Sequence, residues 1–365
     1  MMTLTTLALI AWIYLLLFRG RFWQSGPVLP PARPLHAPSV AVIVPARDEA
    51  EVVSRSIGSL LAQDYAGPAR IVLVDDGSTD ATARIARSLQ GASERLMVID
   101  GAPRAAGWAG KPWAVQQGVA ATSEEFLLLT DADIVHDVAH LSTLVAQMEA
   151  SGVDLVSEMV ALNCESTAER TLVPAFVFFF ALLYPFAWVN DPMHATAAAA
   201  GGTMLIRRRA LERIGGLEAI GGALIDDVAL ARTVKRGGRI WLGHSRLARS
   251  IRRYPDFSDI WKMITRSAYV QLRNSPMLLV LTMLGMVWLF LLPVYATFEH
   301  PHWIGFAAWI LMAVSFVPSL QRFGLSPWWA PLLPAMAAFY IAATIGSAVA
   351  YHTGRGSVWK GRAYS

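Results

Sequence analysis

The chain has 365 residues, of which 55% are hydrophobic and only 16% charged, with a mean hydropathy of +0.42. A soluble domain carries about a quarter charged residues, so part of this chain is expected in lipid. The formal charge of +4 comes without a basic stripe interleaved with aromatics, which argues against a nucleic-acid partner. The single cysteine, Cys164, excludes an internal disulfide and a cysteine-rich zinc site.

In chain order, Met1 to Phe18 is apolar throughout and is followed at once by Arg19 and Arg21. A cleaved leader has a basic start and a small-residue cleavage site, and neither is present. Residues 1–19 therefore read as an uncleaved anchor whose arginines hold its C-terminal end in the cytoplasm. Residues 20–38 read as a linker, since Gly26 to Pro38 carries five prolines, too many for a helix.

Val40 to Val44, Ile71 to Val74, Met97 to Ile99 and Phe126 to Leu129 are short apolar runs. Runs apolar on both faces suit parallel strands covered by helices on each side. Helix-like stretches, Glu51 to Gln63 and Ala81 to Leu89, separate them. The alternation predicts a doubly wound α/β domain with a mostly parallel, Rossmann-like sheet. In such sheets ligands bind at the carboxyl ends of strands, and there the acids gather. Strand one runs into Pro45-Ala46-Arg47-Asp48-Glu49, strand two into Asp75-Asp76-Gly77-Ser78-Thr79-Asp80, and a later strand into Asp131-Ala132-Asp133.

One such acidic end is ordinary turn chemistry, but several on one edge form a site. No G-x-G-x-x-G follows the first strand, which argues against a dinucleotide dehydrogenase. Gly110-Lys111 is followed by proline, so it is not a phosphate loop. An acidic site suits a hard divalent cation, Mg2+ or Mn2+, bridging carboxylate and diphosphate. Lys111 is a candidate for the diphosphate, with a solvated loop lysine as the plain alternative.

Leu172 to Trp188 is apolar but interrupted by Pro174 and Pro185. A span here would separate the flanking motifs across the bilayer, so 172–189 is expected as an interfacial or buried helix. His194 is weighed between an acceptor-site and a structural role, and Arg207, Arg208 and Arg209 between phosphate and solvent. Arg246, Arg249, Arg252, Arg253, Lys262, Arg266 and Arg273 precede the next apolar segment. Most of them are expected to meet anionic headgroups, at ~1 kcal/mol each near the surface. Residues 277–350 hold three candidate spans, Met277 to Ala296, Trp303 to Val317 and Trp328 to Ala350. Three spans carry the basic tail, 351–365 with Arg355, Lys360 and Arg362, to the side opposite the catalytic domain, against the positive-inside tendency. Either one segment is re-entrant or the tail is an exception.

Together, V-P-A-R-D-E, L-V-D-D-G-S-T-D, T-D-A-D, A-A-G-G-T-M-L-I-R-R and I-D-D-V-A-L-A resemble the family 2 inverting glycosyltransferases of the GT-A fold. The resemblance runs from Ser39 to Arg273 and sets the expected catalytic domain at 39–273. The blocks Cys164 to Pro192 and Gly201 to Arg208, with Trp359-Lys360-Gly361-Arg362, look like the bacterial hopene-associated glycosyltransferases of hopanoid biosynthesis. The resemblance implies that Pro45, Arg47 and Glu49 border base and ribose, and that Asp75 and Asp76 hold the uracil or ribose edge. It implies Asp133 as metal ligand, with Asp131 helping it and positioning ribose and diphosphate. Asp227 is implied as general base, with Asp226 beside it, and Arg266 as the remnant of a phosphate-binding motif whose flanking Gln and Trp are missing. That departure argues against a processive mode.

The function so implied is inverting transfer of a sugar from a nucleotide donor, a UDP-sugar foremost, to a membrane lipid, hopanoid-related, at the cytoplasmic face of a bacterial inner membrane. Two alternatives stay open: a polyprenyl-phosphate sugar synthase, and a scaffold or transport component that binds the donor without turnover.

Overall fold

A computed structural model describes residues 1–24, 26–91, 93–223, 226–299 and 302–354, and the backbone of 358–359 and 362–363. Arg355, Lys360 and Gly361 lie outside the described residues. The chain forms two compact units. One holds Pro27–Asn163 and Trp188–Arg252; the other holds Met1–Gly26, Cys164–Ala187 and Arg253–Ser365.

The elements to residue 271 are α1 (Met2–Phe18), β1 (Val40–Ala46), α2 (Val53–Leu61), β2 (Ala69–Asp75), α3 (Thr82–Gln90), β3 (Leu96–Asp100), α4 (Gly110–Ala120), β4 (Phe126–Thr130), β5 (Ile134–His136), α5 (His140–Ser151), β6 (Leu155–Ala161), α6 (Thr167–Leu183), α7 (Phe186–Asn190), β7 (Thr203–Arg207), α8 (Arg208–Arg213), α9 (Asp226–Lys235), β8 (Ile240–Ser250), α10 (Phe257–Thr265) and α11 (Ala268–Gln271). In the first unit the strands form one sheet in the order β3-β2-β1-β4-β7-β6-β8-β5. The apolar runs make its parallel half, with Val40 opposite both Ala69 and Phe126. Every residue of β1 and β4 is buried, as strands covered on both faces require.

Beyond β4 the sheet turns. The strand β7 is antiparallel to β4 and to β6, β8 is parallel to β6, and β5 is antiparallel to β8. The reversal has a functional result. An antiparallel β7 presents its leading end, Gly201-Gly202, at the edge where the parallel strand β4 runs out into Asp131, with Thr130 opposite Thr203. On one face Val42, Val44 and Leu128 join Ile57, Leu144 and Met148 in the main core. On the other, α4 lies so close that a Cβ at Gly118 would stand 2.6 Å from Ile43 Cγ2. That close seat carries Lys111, in the first turn of α4, to the carboxyl edge.

The second unit is helical. Pro276–Thr297, His302–Arg322 and Pro327–His352 are long and apolar enough to cross a membrane, while α1 is a shorter apolar helix. Apolar side chains such as Leu7, Ile10, Val280, Leu281 and Leu284 are exposed on these helices. Pro293 has no N–H to give to the carbonyl of Leu289 four residues earlier. The Trp12 indole supplies the missing donor at 2.8 Å, and a π-turn over Val287–Leu291 absorbs the break.

Helix α6, expected inside the catalytic domain, belongs to this helical unit instead. The physical reason is its apolar surface: Phe178 meets Phe316 edge-on at 5.4 Å, Phe179 meets Tyr340, and the Tyr340 hydroxyl donates to the Leu172 carbonyl at 2.9 Å. Just before α6, burial and then Glu169 push the Cys164 thiol up to about 11, which leaves it protonated and unreactive at neutral pH.

Candidate active site

The ends of β1, β2 and β4 and the starts of α4 and α9 converge at the carboxyl edge. Pro45, which cannot donate to a ladder, lies past the last β1–β4 pair, Ile43 with Leu129. Where that pairing stops, a small cavity of about 20 Å³ opens, lined by Pro45, Leu129, Thr130, Lys111, Gly201 and Asp226 among others.

The loops after β1 and β2 are laced together. Asp48 takes φ +50, uncommon for a residue with a side chain. The turn lets its Oδ1 accept from the Thr79 amide at 2.7 Å and its own amide donate to Ser78 Oγ at 3.0 Å. The Glu49 amide donates to Thr82 Oγ1 at 2.7 Å, and the Ala50 amide to Asp80 Oδ2 at 3.0 Å. Arg47 turns inward: its guanidinium donates to the Asp76 carbonyl and stands 3.8 Å from the Asp76 carboxylate. Asp75 is buried, and its Oδ1 has no hydrogen-bond partner among the described residues. A buried oxygen left so is costly unless a ligand donor meets it. A Cβ at Gly101 would stand 2.8 Å from the Asp75 carbonyl, so that glycine permits the β3 loop to close over β2.

The D-x-D loop meets the acidic pair through Lys111. Its Nζ lies 2.7 Å from Asp131 Oδ1 and 3.8 Å from Asp226 Oδ2. Burial works against its charge, but Asp131 and then Asp226 outweigh it and hold the ammonium above the ordinary lysine value. Asp227, at the start of α9, accepts from the Gly201 amide at 2.8 Å and from the Val228 amide at 2.7 Å. Burial first, then neighbouring Asp226, raise its carboxyl to about 6, against the opposing pull of Lys111. A carboxylate so tuned is a base near neutral pH.

Behind the D-x-D strand lies a buried polar chain. The Thr130 hydroxyl donates to the Gly202 carbonyl at 2.8 Å and lies 3.2 Å from His136 Nε2. His136 and His140 face each other through Nδ1 atoms 2.8 Å apart, and His140 Nε2 is 3.0 Å from Glu158 Oε2. Thr130 has a single hydroxyl hydrogen, which the Gly202 carbonyl takes, so His136 Nε2 must donate to Thr130. The facing Nδ1 atoms share a second hydrogen, and His140 and Glu158 share a third. Two rings and one carboxyl thus hold three protons and no net charge, the state that burial favours. Burial and His140 hold His136 well below the ordinary histidine value, which fits its neutral place in the chain.

Of the residues singled out in the sequence, Pro45, Arg47, Glu49, Asp75, Asp76, Lys111, Asp131, Asp133, Asp226 and Asp227 fall in the first unit, and Arg266 falls in the second, after α10. Arg252, expected among headgroups, instead pairs with Asp133 Oδ2 at 2.7 Å and Glu49 Oε1 at 2.6 Å. Desolvated carboxylates at the strand ends draw it in more strongly than solvent or lipid would. Only its position just past β8 signals this in the sequence. Arg207 and Arg208 are committed to backbone carbonyls, at Val153 and Glu124, and His194 stacks on Trp188 at 4.4 Å.

A divalent ion fits this donor set. Asp133 Oδ1 and Asp131 Oδ2 are hard oxygens that take no hydrogen bond or ion pair among the described residues. No three His, Cys, Asp or Glu side chains converge as a closed metal site among those residues. An ion here would complete its shell with diphosphate and water, as Mg2+ sites commonly do.

The model of glycosyl transferase family 21 matches residues 3–365, whereas the motifs by themselves resemble family 2. The chain is 37% identical over 97 residues to a 4,4'-diaponeurosporenoate glycosyltransferase of Staphylococcus aureus (strain bovine RF122), covering 26% of this chain and 24% of that one. It is 34% identical over 131 residues to an N-acetylglucosaminyltransferase of Azorhizobium caulinodans, covering 35% and 32%. The chain thus spans a quarter to a third of the length of these curated relatives. Among solved structures, a mannosyltransferase from Pyrobaculum calidifontis in complex with GDP-Man and Mn2+ superposes with a TM-score of 0.55 at 20% identity, over 94% of this chain and 98% of that one. The fold is that of the GT-A glycosyltransferases.

Proposed function

The chain belongs to glycosyl transferase family 21, and from that premise we propose that it moves one sugar from a nucleoside-diphosphate donor to a lipid hydroxyl, with inversion. One observation carries the reading: Asp131 of the D-x-D loop and Asp226 of the acidic pair converge on a single ammonium, Lys111 Nζ. Donor-side and base-side carboxylates therefore share one site.

In this reading Asp75, with its unsatisfied oxygen, and Asp76 hold the base and ribose edge of the donor, a UDP-sugar foremost. Asp131 and Asp133 hold Mg2+ or Mn2+, which when bound offsets the charge that develops on the leaving diphosphate. Asp227 takes the proton from the acceptor hydroxyl as that oxygen attacks the anomeric carbon from the face opposite the diphosphate. Attack from behind gives inversion. Lys111 keeps Asp131 and Asp226 from repelling each other and keeps Asp227 ionised near neutral pH.

The acceptor is a membrane lipid, of hopanoid type. The apolar helices support it, because a soluble acceptor needs no membrane residence. In this reading the protein resides in the bacterial cytoplasmic membrane with its sheet unit in the cytoplasm. The test uses the purified full chain in lipid nanodiscs with labelled UDP- and GDP-sugars, offered hopanoid alcohols, polyprenyl phosphate or no acceptor. The expected result is label on the hopanoid alcohol, with nucleoside diphosphate released in step. Label on polyprenyl phosphate alone would replace the acceptor. Donor binding without release under every condition would overturn the catalytic reading.

A further inference from the structure

We propose that Arg252 is a resident counter-cation of the donor site, holding Asp133 and Glu49 until a nucleoside diphosphate arrives and then binding that diphosphate. The inference rests on the donor-site reading above and extends it to a residue that no sequence motif assigns.

The guanidinium fork straddles two carboxylates from different strand ends. Nε reaches Asp133 Oδ2 at 2.7 Å, and Nη2 reaches Glu49 Oε1 at 2.6 Å. Its backbone is tethered beside the D-x-D loop, for the preceding amide, Ile251, donates to the Asp133 carbonyl at 2.8 Å, and the Asn163 side-chain amide donates to the Arg252 carbonyl. The acids lie deep, with side chains 12% and 10% exposed, while the arginine is 35% exposed. The cation therefore stands on the open side of the carboxylates, where an incoming anion meets it first.

Charge explains the need. Glu49, Asp131, Asp133, Asp226 and Asp227 gather at this edge with Lys111 and Arg252 as the cations that pair with them. A diphosphate entering such an acidic site is repelled unless cations turn to it. Guanidinium matches phosphate oxygens in bidentate geometry. A divalent ion at Asp133 Oδ1 would also share one carboxylate with Arg252 at Oδ2, so the two cations repel each other across it. The ion alone must bind against that repulsion, whereas the diphosphate gives the arginine a new partner and draws it off the carboxylate. Ion and nucleotide should then bind with positive coupling, and coupling is reciprocal.

The test measures Mn2+ binding to the full chain by electron paramagnetic resonance, and UDP and GDP binding by calorimetry, each with and without the other. Wild type is expected to bind Mn2+ weakly alone and roughly tenfold or more tighter with the preferred nucleoside diphosphate. In Arg252→Met, Mn2+ alone should bind tighter, the nucleotide should bind roughly ten- to a hundredfold more weakly, and the coupling should shrink. Glu49→Gln gives a second arm that keeps the Arg252 cation but neutralises one of the two carboxylates holding it. With one anchor loosened, the nucleotide should bind at least as tightly as in wild type. Unchanged Mn2+ and nucleotide affinities in Arg252→Met, in a protein with wild-type melting behaviour, would overturn the inference and leave the donor site standing. A weaker nucleotide affinity in Glu49→Gln would also overturn it, since Glu49 would then be the nucleotide contact. Absence of UDP and GDP binding in wild type would instead sink the donor-site reading, and this inference with it.

Discussion

The Gly201 amide donates to Asp227 Oδ2 at 2.8 Å, which ties the glycine pair ahead of β7 to the acidic pair that opens α9. A Cβ at Gly201 would stand 3.2 Å from that oxygen, with Lys111 Nζ 3.4 Å away, so a side chain there presses on the Asp227 carboxylate. Gly201→Ala is expected to lower turnover by up to about a hundredfold, as misplacement near 1 Å can, while helix and strand content stays unchanged. Wild-type turnover in this variant would show that the contact does not position the base.

Asp227 should set the acid limb of the rate profile, with activity rising as pH passes about 6. The sign for stability is opposite. The folded carboxyl is raised above its unfolded value of 3.8, so the folded state binds the proton more tightly. Its contribution to stability is therefore lost as pH rises from about 4 to about 6. Asp227→Asn should abolish transfer and melt higher than wild type at pH 7.5. A lower melting temperature there would contradict the burial argument.

Lys111 pulls the Asp227 carboxyl down. Lys111→Met should move the acid limb to higher pH and weaken donor binding, because Asp131 loses its partner at 2.7 Å. An unmoved limb with lower turnover would assign Lys111 to the donor alone.

Asp48 joins strain to bonding: φ is +50, and its Oδ1 accepts from both the amide and the hydroxyl of Thr79. Asp48→Ala keeps the strain and loses the bonds, at about 1–3 kcal/mol. Asp48→Gly loses the same bonds but relieves the strain, so it should melt higher than Asp48→Ala. The reverse order would mean that the loop relaxes out of its left-handed turn.

Glu158→Ala should cost about 1–3 kcal/mol, because it leaves the buried His140 Nε2 without its partner. Glu158→Gln, whose side-chain NH2 can donate to His140 Nε2 and keep the chain neutral, should lose less. Denaturant melts of the two variants decide it, and equal losses would refute the shared-proton chain from Glu158 to Thr130.

The parallel strands and their acidic ends were legible in the sequence because β1 and β4 are apolar on both faces, which leaves few other structures open to them. Asp75-Asp76 and Asp131-Ala132-Asp133 then fall at one edge by topology alone. The partners across that edge were not legible. Arg252 lies 119 residues from Asp133 and 203 from Glu49, in a run whose basic residues look alike. Glu158 lies 18 residues from His140, on a different element, and no local pattern joins it to His136 and His140 as a chain.

Sequence by itself determined which segments are apolar and in what period, and so the α/β sheet half, the membrane-length helices and the acids that end the strands. Tertiary structure alone decided the direction of β7, the place of α6 among the apolar helices, and which cation meets which carboxylate. The physical reason is range. Periodicity and turn chemistry act over a few residues, whereas charge pairing in a desolvated edge depends on which distant ends the sheet brings within about 3 Å.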